Sequence, residues 1–170
     1  MARCLELDMA SHRLSEASFH AINYAMILSD LQKSTRLEIY DLLSAMYLAN
    51  LDRLSKYWEE LSGFELLALG HPAATQLAAD IGNRGSISIF EHRGGVGGIF
   101  KPFSPQFKKV HSRAIELALG HAGHPKAIVF PEHFLLAIAE QADLEITRRL
   151  LASGLQVEVL RRDVEKGISQ

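Results

Sequence analysis

Apolar and small residues recur at helical spacing along most of the chain. In the first such stretch they lie about one turn apart, at Ala17, Ala21, Ala25 and Leu28, and residues three or four positions apart share one face of a helix. Ser15 is a typical amino-terminal cap for this helix. Gly63 is a typical end for the third predicted helix, over residues 52–61. The pattern predicts four helices in the first half of the chain, over residues 15–31, 38–49, 52–61 and 72–81.

The pattern changes between residues 82 and 103, where glycines are frequent and helical spacing is lost. Residues 86–90 alternate polar and apolar side chains, as a short strand does. Four glycines between Gly94 and Gly98 leave the backbone few steric restraints. We interpret this stretch as a mobile connector between the two helical halves, which can include a small hairpin.

Helical spacing returns after residue 103. Ser104 and Pro105 are a typical cap and first-turn proline, and Pro131 opens a further helix in the same way. Asp143 is a candidate cap, and Gly154 a candidate end, for the helix between them. The pattern predicts four helices in this half, which begin at Ser104, Pro131, Asp143 and Val159.

The second half restates the first in a degenerate form. When residues 40–46 are placed on residues 132–138, Gly63 falls within one residue of Gly154, and such self-similarity is typical of an internal repeat. Each four-helix unit alone would expose an apolar face, so the two should pack together. We predict one all-α domain, residues 1–170, in which two pseudo-twofold-related repeats, 14–81 and 104–168, form a compact bundle joined by the glycine-rich connector 82–103.

Composition and charge narrow the class of partner. Of the 170 residues 48% are hydrophobic, and the formal net charge of −2 gives no electrostatic reason to expect nucleic acid or an anionic membrane as a partner. Cys4 is the only cysteine, which excludes an internal disulfide and favours a reducing, cytoplasmic location. The acidic start of the chain lacks an export signal, and no apolar run is long enough to cross a bilayer.

Several segments of the second half together resemble one repeat of the amino-terminal domain of Clp-type protein unfoldases. The most specific is a Glu-His pair, Glu132 and His133, followed by Phe-Leu-Leu-Ala-Ile. The others are Ala114-Ile-Glu-Leu-Ala118, Leu150-Leu-Ala-Ser-Gly154, and Leu160 with Arg161. The first half is a more diverged copy, with Tyr40 and Asp41 in place of the Glu-His pair. Gln156 also stands where the family has a capping aspartate.

The resemblance implies a domain that docks substrates and adaptor proteins for a Clp-type ATP-dependent unfoldase or its protease, either as an excised domain or as a free-standing relative. It performs no chemistry, and the glycine cluster lacks the lysine of a phosphate-binding loop. In some relatives the glutamate of the Glu-His pair binds phosphorylated arginine through charge-assisted hydrogen bonds. Only Glu132 matches here, because Tyr40 replaces the other glutamate, and we do not expect phosphoarginine to be read.

The candidate partner-binding residues are Glu132, Tyr40, Trp58, Arg148 and Arg149. Trp58 lies near Tyr47 and Tyr57 in sequence, a group that indicates either core packing or an exposed aromatic anchor. Arg148 and Arg149, with the arginines of the last helix, form either solvated surface or one side of a groove for a partner helix.

Glu132 has a more general interpretation, since a carboxylate in the first turn after Pro131 stabilises a helix start. Two other classes of protein remain open as alternatives. One is a metal-dependent helical enzyme that uses His121, His124, Glu132 and His133. The other is a helical regulator that holds a small molecule in a deep apolar pocket between its halves. The preferred interpretation predicts no enzymatic activity, no metal and no cofactor.

Overall fold

The computed structural model describes residues 12–60, 101–122, 127–141 and 145–168, with the isolated residue 79. These residues are mostly helical, which confirms the predicted class. The predicted helix over 72–81, the connector up to residue 100, Cys4 and Gly63 lie outside the described residues. The elements in chain order are β1 (His12–Leu14), α1 (Glu16–Leu31), α2 (Ile39–Leu54), a 3-10 turn (Ser55–Tyr57), α3 (Pro105–Ala122), β2 (Ala127–Val129), α4 (Pro131–Ala139), α5 (Glu145–Ala152) and α6 (Val157–Lys166).

The helix starts predicted from local residues are confirmed. The Ser15 hydroxyl accepts a hydrogen bond from the backbone N–H of Ser18 at 3.1 Å, and α1 begins at the next residue. The Ser104 hydroxyl accepts in the same way from the N–H of Phe107 at 3.1 Å, and α3 begins at Pro105. Each hydroxyl satisfies one of the N–H groups that a helix start leaves without a partner.

The predicted break between the second and third helices is confirmed, but the helix predicted over residues 52–61 is much shorter than expected. The backbone leaves helical geometry once at Asn50, with φ −143° and ψ 36°, and continues as a helix only to Leu54. A 3-10 turn follows, and Trp58 is extended. This course buries Tyr57 completely and leaves Trp58 5% exposed, so burial of two large rings outweighs the helical propensity of the segment.

Two short parallel connections join residues that are far apart in sequence. β1 pairs with β2, with Leu14 opposite Val129, and the N–H of Ser15 donates to the carbonyl of Val129 at 3.0 Å. Leu37 likewise forms a parallel bridge with Phe103. Sequence periodicity did not reveal these pairings, because three residues are too few to show alternation.

The later helices end and begin as their sequences indicate. Gly154 adopts a positive φ of 88° just after α5, a conformation that favours glycine. Gln156 is the cap residue of α6 but its side chain makes no capping hydrogen bond. Its backbone N–H instead donates to the carbonyl of Tyr57 at 2.9 Å.

The hydrophobic core is one cluster that extends through the described helices of both halves. α1 packs along α2, α3 packs along α4, and α4 also contacts α1, α2, α5 and α6. Every residue of α4 is buried, from Pro131 to Ala139. α4 is therefore the central helix of the described structure, and its first turn meets the start of α1 and the end of α2.

Candidate functional site

A cleft of about 310 Å³ opens where the start of α1, the end of α2 and the turn into α4 meet. Its lining combines a cation, an aromatic ring and the first turn of a helix, whose N–H groups lack intrahelical acceptors. The lining residues are Ser15, Glu16, Ala17, His20, Arg53 and Phe130. The cleft thus takes residues from both halves of the chain, and its size is at the lower end for ligand pockets.

Arg53 is the central side chain of the cleft. Its Nε donates to Oε1 of Glu132 at 2.5 Å. Its guanidinium also lies 5.0 Å from the centre of the Phe130 ring, at a distance typical of a cation–π contact. Because the side chain is 26% exposed, Arg53 presents a cation at the cleft while it remains bound on two sides.

Glu132 lies behind Arg53 and is 2% exposed. Its second carboxylate oxygen, Oε2, is buried and makes no hydrogen bond within the described part of the chain. A buried carboxylate without partners destabilises the folded state. The ion pair with Arg53 and the amino-terminal dipole of α4 offset this destabilisation for Glu132. The sequence predicted that free backbone N–H groups of the first turn stabilise Glu132, whereas its hydrogen-bond partner in the described structure is Arg53.

The cap of α4 comes from His133 rather than Glu132. Nδ1 of His133 accepts a hydrogen bond from the backbone N–H of Phe130 at 2.9 Å. At the start of α2, Oδ2 of Asp41 accepts from the backbone N–H of Glu38 at 3.0 Å in the same arrangement. Asp41 and His133 therefore each cap the start of a helix, α2 and α4 respectively, by accepting a backbone N–H three residues earlier.

Asp41 is buried, with 1% of its surface exposed. Burial raises the pKa of its carboxyl from 3.8 to about 6, and the nearby charge of Glu38 adds to this effect. The hydrogen bond from the Glu38 N–H and the charge of Lys101 act in the opposite direction. The Asp41 carboxyl, with a pKa of about 6, thus changes protonation near pH 6 in the folded state.

Trp58 belongs to the core, which supports the packing interpretation over an exposed anchor. Its indole Nε1 donates to the Ser153 hydroxyl at 2.9 Å, and its ring meets Tyr47 edge to face at 5.4 Å between centroids. Tyr40 is half-buried and packs against the core cluster. Neither ring is among the described residues that line the cleft.

Arg148 and Arg149 are exposed on α5. α5 packs mainly against α4, whereas α6 packs against α3, α4 and the 3-10 turn. The arginines of the two helices therefore lie on elements that do not pack closely on each other. None of them lies among the described residues that line the cleft.

The proposed metal set falls partly outside the described residues, which exclude His124 and the side chain of His121. Glu132 and His133 both have protein partners, Arg53 and the Phe130 backbone. Within the described ranges no group of three or more histidine, cysteine, aspartate or glutamate side chains is placed to hold a metal ion. No described helix combines the length and apolar character required to cross a membrane.

Comparison of the sequence with known proteins gave no match, either to a protein-family model or to a curated protein sequence. The resemblance to the Clp amino-terminal domain therefore remains a prediction from the residues quoted above.

Proposed function

We propose that this chain is a non-catalytic protein-binding module that docks substrates or adaptor proteins for a Clp-type ATP-dependent unfoldase or protease. The observation that carries the proposal is the reciprocal connection between the two halves. The Ser15 N–H donates to Val129, and the Ser104 N–H donates to the carbonyl of Leu37 at 2.9 Å. The cap of each half thus binds the other half, as a twofold relation between two copies requires.

The paired helix starts give the repeat proposal a second support. The alignment of the two halves places Asp41 on His133 and Leu37 on Val129. Asp41 and His133 make equivalent capping bonds. Leu37 and Val129 both accept from the N–H of a capping serine. An alignment made on sequence alone therefore superposes residues with the same structural role, which favours two diverged copies of one unit, related by a pseudo-twofold axis.

The cleft is the surface that best suits partner docking. It lies between the two proposed repeats, where a binding surface is expected, and it presents Arg53 beside an aromatic ring. Arginine and aromatic side chains carry a large share of the energy in protein interfaces. Candidate residues Tyr40, Trp58, Arg148 and Arg149 lie elsewhere, so Glu132 enters the proposed site through its ion pair with Arg53.

The same ion pair argues against recognition of phosphoarginine. In the relatives that bind this group, the glutamate receives the guanidinium of the ligand. Here Oε1 of Glu132 already accepts from Arg53 within the chain. A ligand guanidinium would have to displace a paired internal one from a site that is 2% exposed, which costs the energy of a charge-assisted bond.

Blocking the cleft without weakening the fold tests this proposal. Ala17→Glu places a longer side chain at the cleft wall, and an acidic residue in the first turn is favourable for α1. Gln106→Glu is the matched control, because Gln106 is exposed at the same position of α3 and does not line the cleft. Wild-type chain and both variants are used as bait, and the Clp motor, its protease and its clients are measured in the eluate.

The proposal predicts that the wild type and Gln106→Glu recover at least one of these proteins and that Ala17→Glu recovers much less. Equal recovery by Ala17→Glu would contradict the cleft as the docking surface. An eluate without motor, protease and clients for the wild type would contradict the module itself.

A further inference from the structure

Residues 53–58 form a segment, here named the strap, that crosses from the first half of the chain to α4, to α6 and to the turn between α5 and α6. It begins after the break in helical geometry at Asn50 and includes the 3-10 turn. Hydrogen bonds within a 3-10 turn are poorer than those of an α-helix, and one isolated turn is marginal by itself. Contacts with other elements must therefore hold the strap in position.

The buried side chains of Leu54, Tyr57 and Trp58 pack in the core, and polar contacts with the second half are spread along the strap. Besides the Arg53 pair with Glu132, Nζ of Lys56 and the hydroxyl of Tyr57 both donate to Oδ2 of Asp163 on α6, at 3.2 Å and 3.1 Å. The last two bonds come from the Gln156 N–H to the Tyr57 carbonyl and from the Trp58 indole to Ser153. One end of the strap thus lies in the cleft, and the other end is bound to α6 and the residues before it.

Asp163 occupies a special place in this arrangement. It accepts two of the strap's hydrogen bonds. Its side chain is 34% exposed, and the side chain of its partner Lys56 is 55% exposed. The middle of the strap is therefore anchored by a carboxylate that solvent and other molecules can reach. Arg53 is only three residues from Lys56, so a shift of the 3-10 turn also moves the end of α2 and the side chain that lines the cleft.

We propose that the strap couples the cleft to α6, with Asp163 as a positioning residue for Arg53. Loss of the bonds at Asp163 loosens the 3-10 turn and with it the contact between Arg53 and Glu132. Coupling between two sites is reciprocal, so a molecule that immobilises Arg53 in the cleft also tightens the strap on α6. The proposed coupling depends only on contacts within this chain and is independent of which partner the chain binds.

Nuclear magnetic resonance tests the coupling through the Arg53 Nε–H, whose exchange with water reports the bond to Glu132. The variants are Asp163→Ala and Tyr57→Phe, and the latter removes one strap bond while the buried ring is kept. Glu165→Ala is the matched control, since Glu165 is an exposed carboxylate of the same helix. The amide of Ala21, buried in α1, serves as the reference for global opening.

The strap predicts that exchange at Arg53 is about fivefold faster in Asp163→Ala, which removes two hydrogen bonds, one of them from the exposed Lys56 and therefore weak. It predicts a smaller increase in the same direction in Tyr57→Phe and no change in Glu165→Ala. In all three variants the protection factor of Ala21 exceeds that of Arg53, because Arg53 exchanges through local opening of the strap. The proposal is overturned if Arg53 exchange is unchanged in Asp163→Ala, or if the protection factor of Arg53 equals that of Ala21, which would mean that Arg53 exchanges only by global unfolding.

Discussion

Individual residues divide into those whose partners are near in sequence and those whose partners are distant. Ser15, Ser104 and Pro131 act within one helical turn, and their roles could be predicted from the sequence. Glu132 was recognised as special, but its partner Arg53 is 79 positions away. A pair of this kind has no local signal, because either residue is also common on a solvated helix surface.

The ion pair itself can be tested by a pair of substitutions. Arg53→Met leaves a buried carboxylate without its cation, and we expect a loss of about 2 kcal/mol in unfolding free energy, below the range for a fully buried pair because Arg53 is partly exposed. Urea unfolding measures it. Combining Arg53→Met with Glu132→Gln should recover part of the loss, since the second change removes the stranded charge. A double variant as unstable as the single one would contradict the assignment.

Asp41 gives the protein a predicted dependence on pH. Its folded pKa of about 6 lies above the ordinary value of 3.8, so the folded state holds the proton more tightly than the unfolded state. The resulting stabilisation is present below about pH 4 and is lost as pH rises through 6, and its size is about 3 kcal/mol.

Asp41→Asn removes this dependence while its amide oxygen still accepts from the Glu38 N–H. The unfolding free energy of the variant relative to wild type should therefore rise by about 3 kcal/mol between about pH 4 and pH 7. Chemical denaturation at each pH measures the difference. If the difference stays constant over this range, Asp41 does not retain a proton in the folded state.

At the scale of elements, strong and long periodic patterns were the most informative. α1, α3, α4 and α6 begin within two residues of their predicted starts. The break before the helix predicted over 52–61 is present at Asn50, but α-helical geometry ends at Leu54 because Tyr57 and Trp58 gain more from burial than the segment gains from helical hydrogen bonds. β1 and β2 were missed because their pairing joins three-residue segments of different halves.

The two serine caps should contribute equally if they do equivalent work. Ser15→Ala and Ser104→Ala are each expected to reduce the unfolding free energy by about 1 kcal/mol. Ser112→Ala is the control, because Ser112 is an exposed residue within α3 and alanine is favourable there. A cap variant that unfolds at the same urea concentration as the control would contradict the capping role.

At the scale of the whole molecule, the two halves are held together by a shared core and by the strap. Trp58 is the only tryptophan, and its indole bonds to Ser153 in the other half. Its fluorescence therefore reports the contact between the halves, whereas circular dichroism reports helix content throughout. We predict that both signals change in one coincident unfolding transition. Loss of the tryptophan signal before the helical signal would show that the halves separate first.

The central claim is that the chain docks on a Clp machine through the cleft between its halves. Titration of isotopically labelled chain with the purified Clp unfoldase of its own cell, followed by resonance shifts, tests partner and surface together. The account predicts saturable changes at Ser15, His20 and the Arg53 Nε–H, with smaller changes on the exposed face of α5. Spectra that remain unchanged at saturating unfoldase would contradict the claim, and changes centred on Arg148 and Arg149 would move the docking surface to α5.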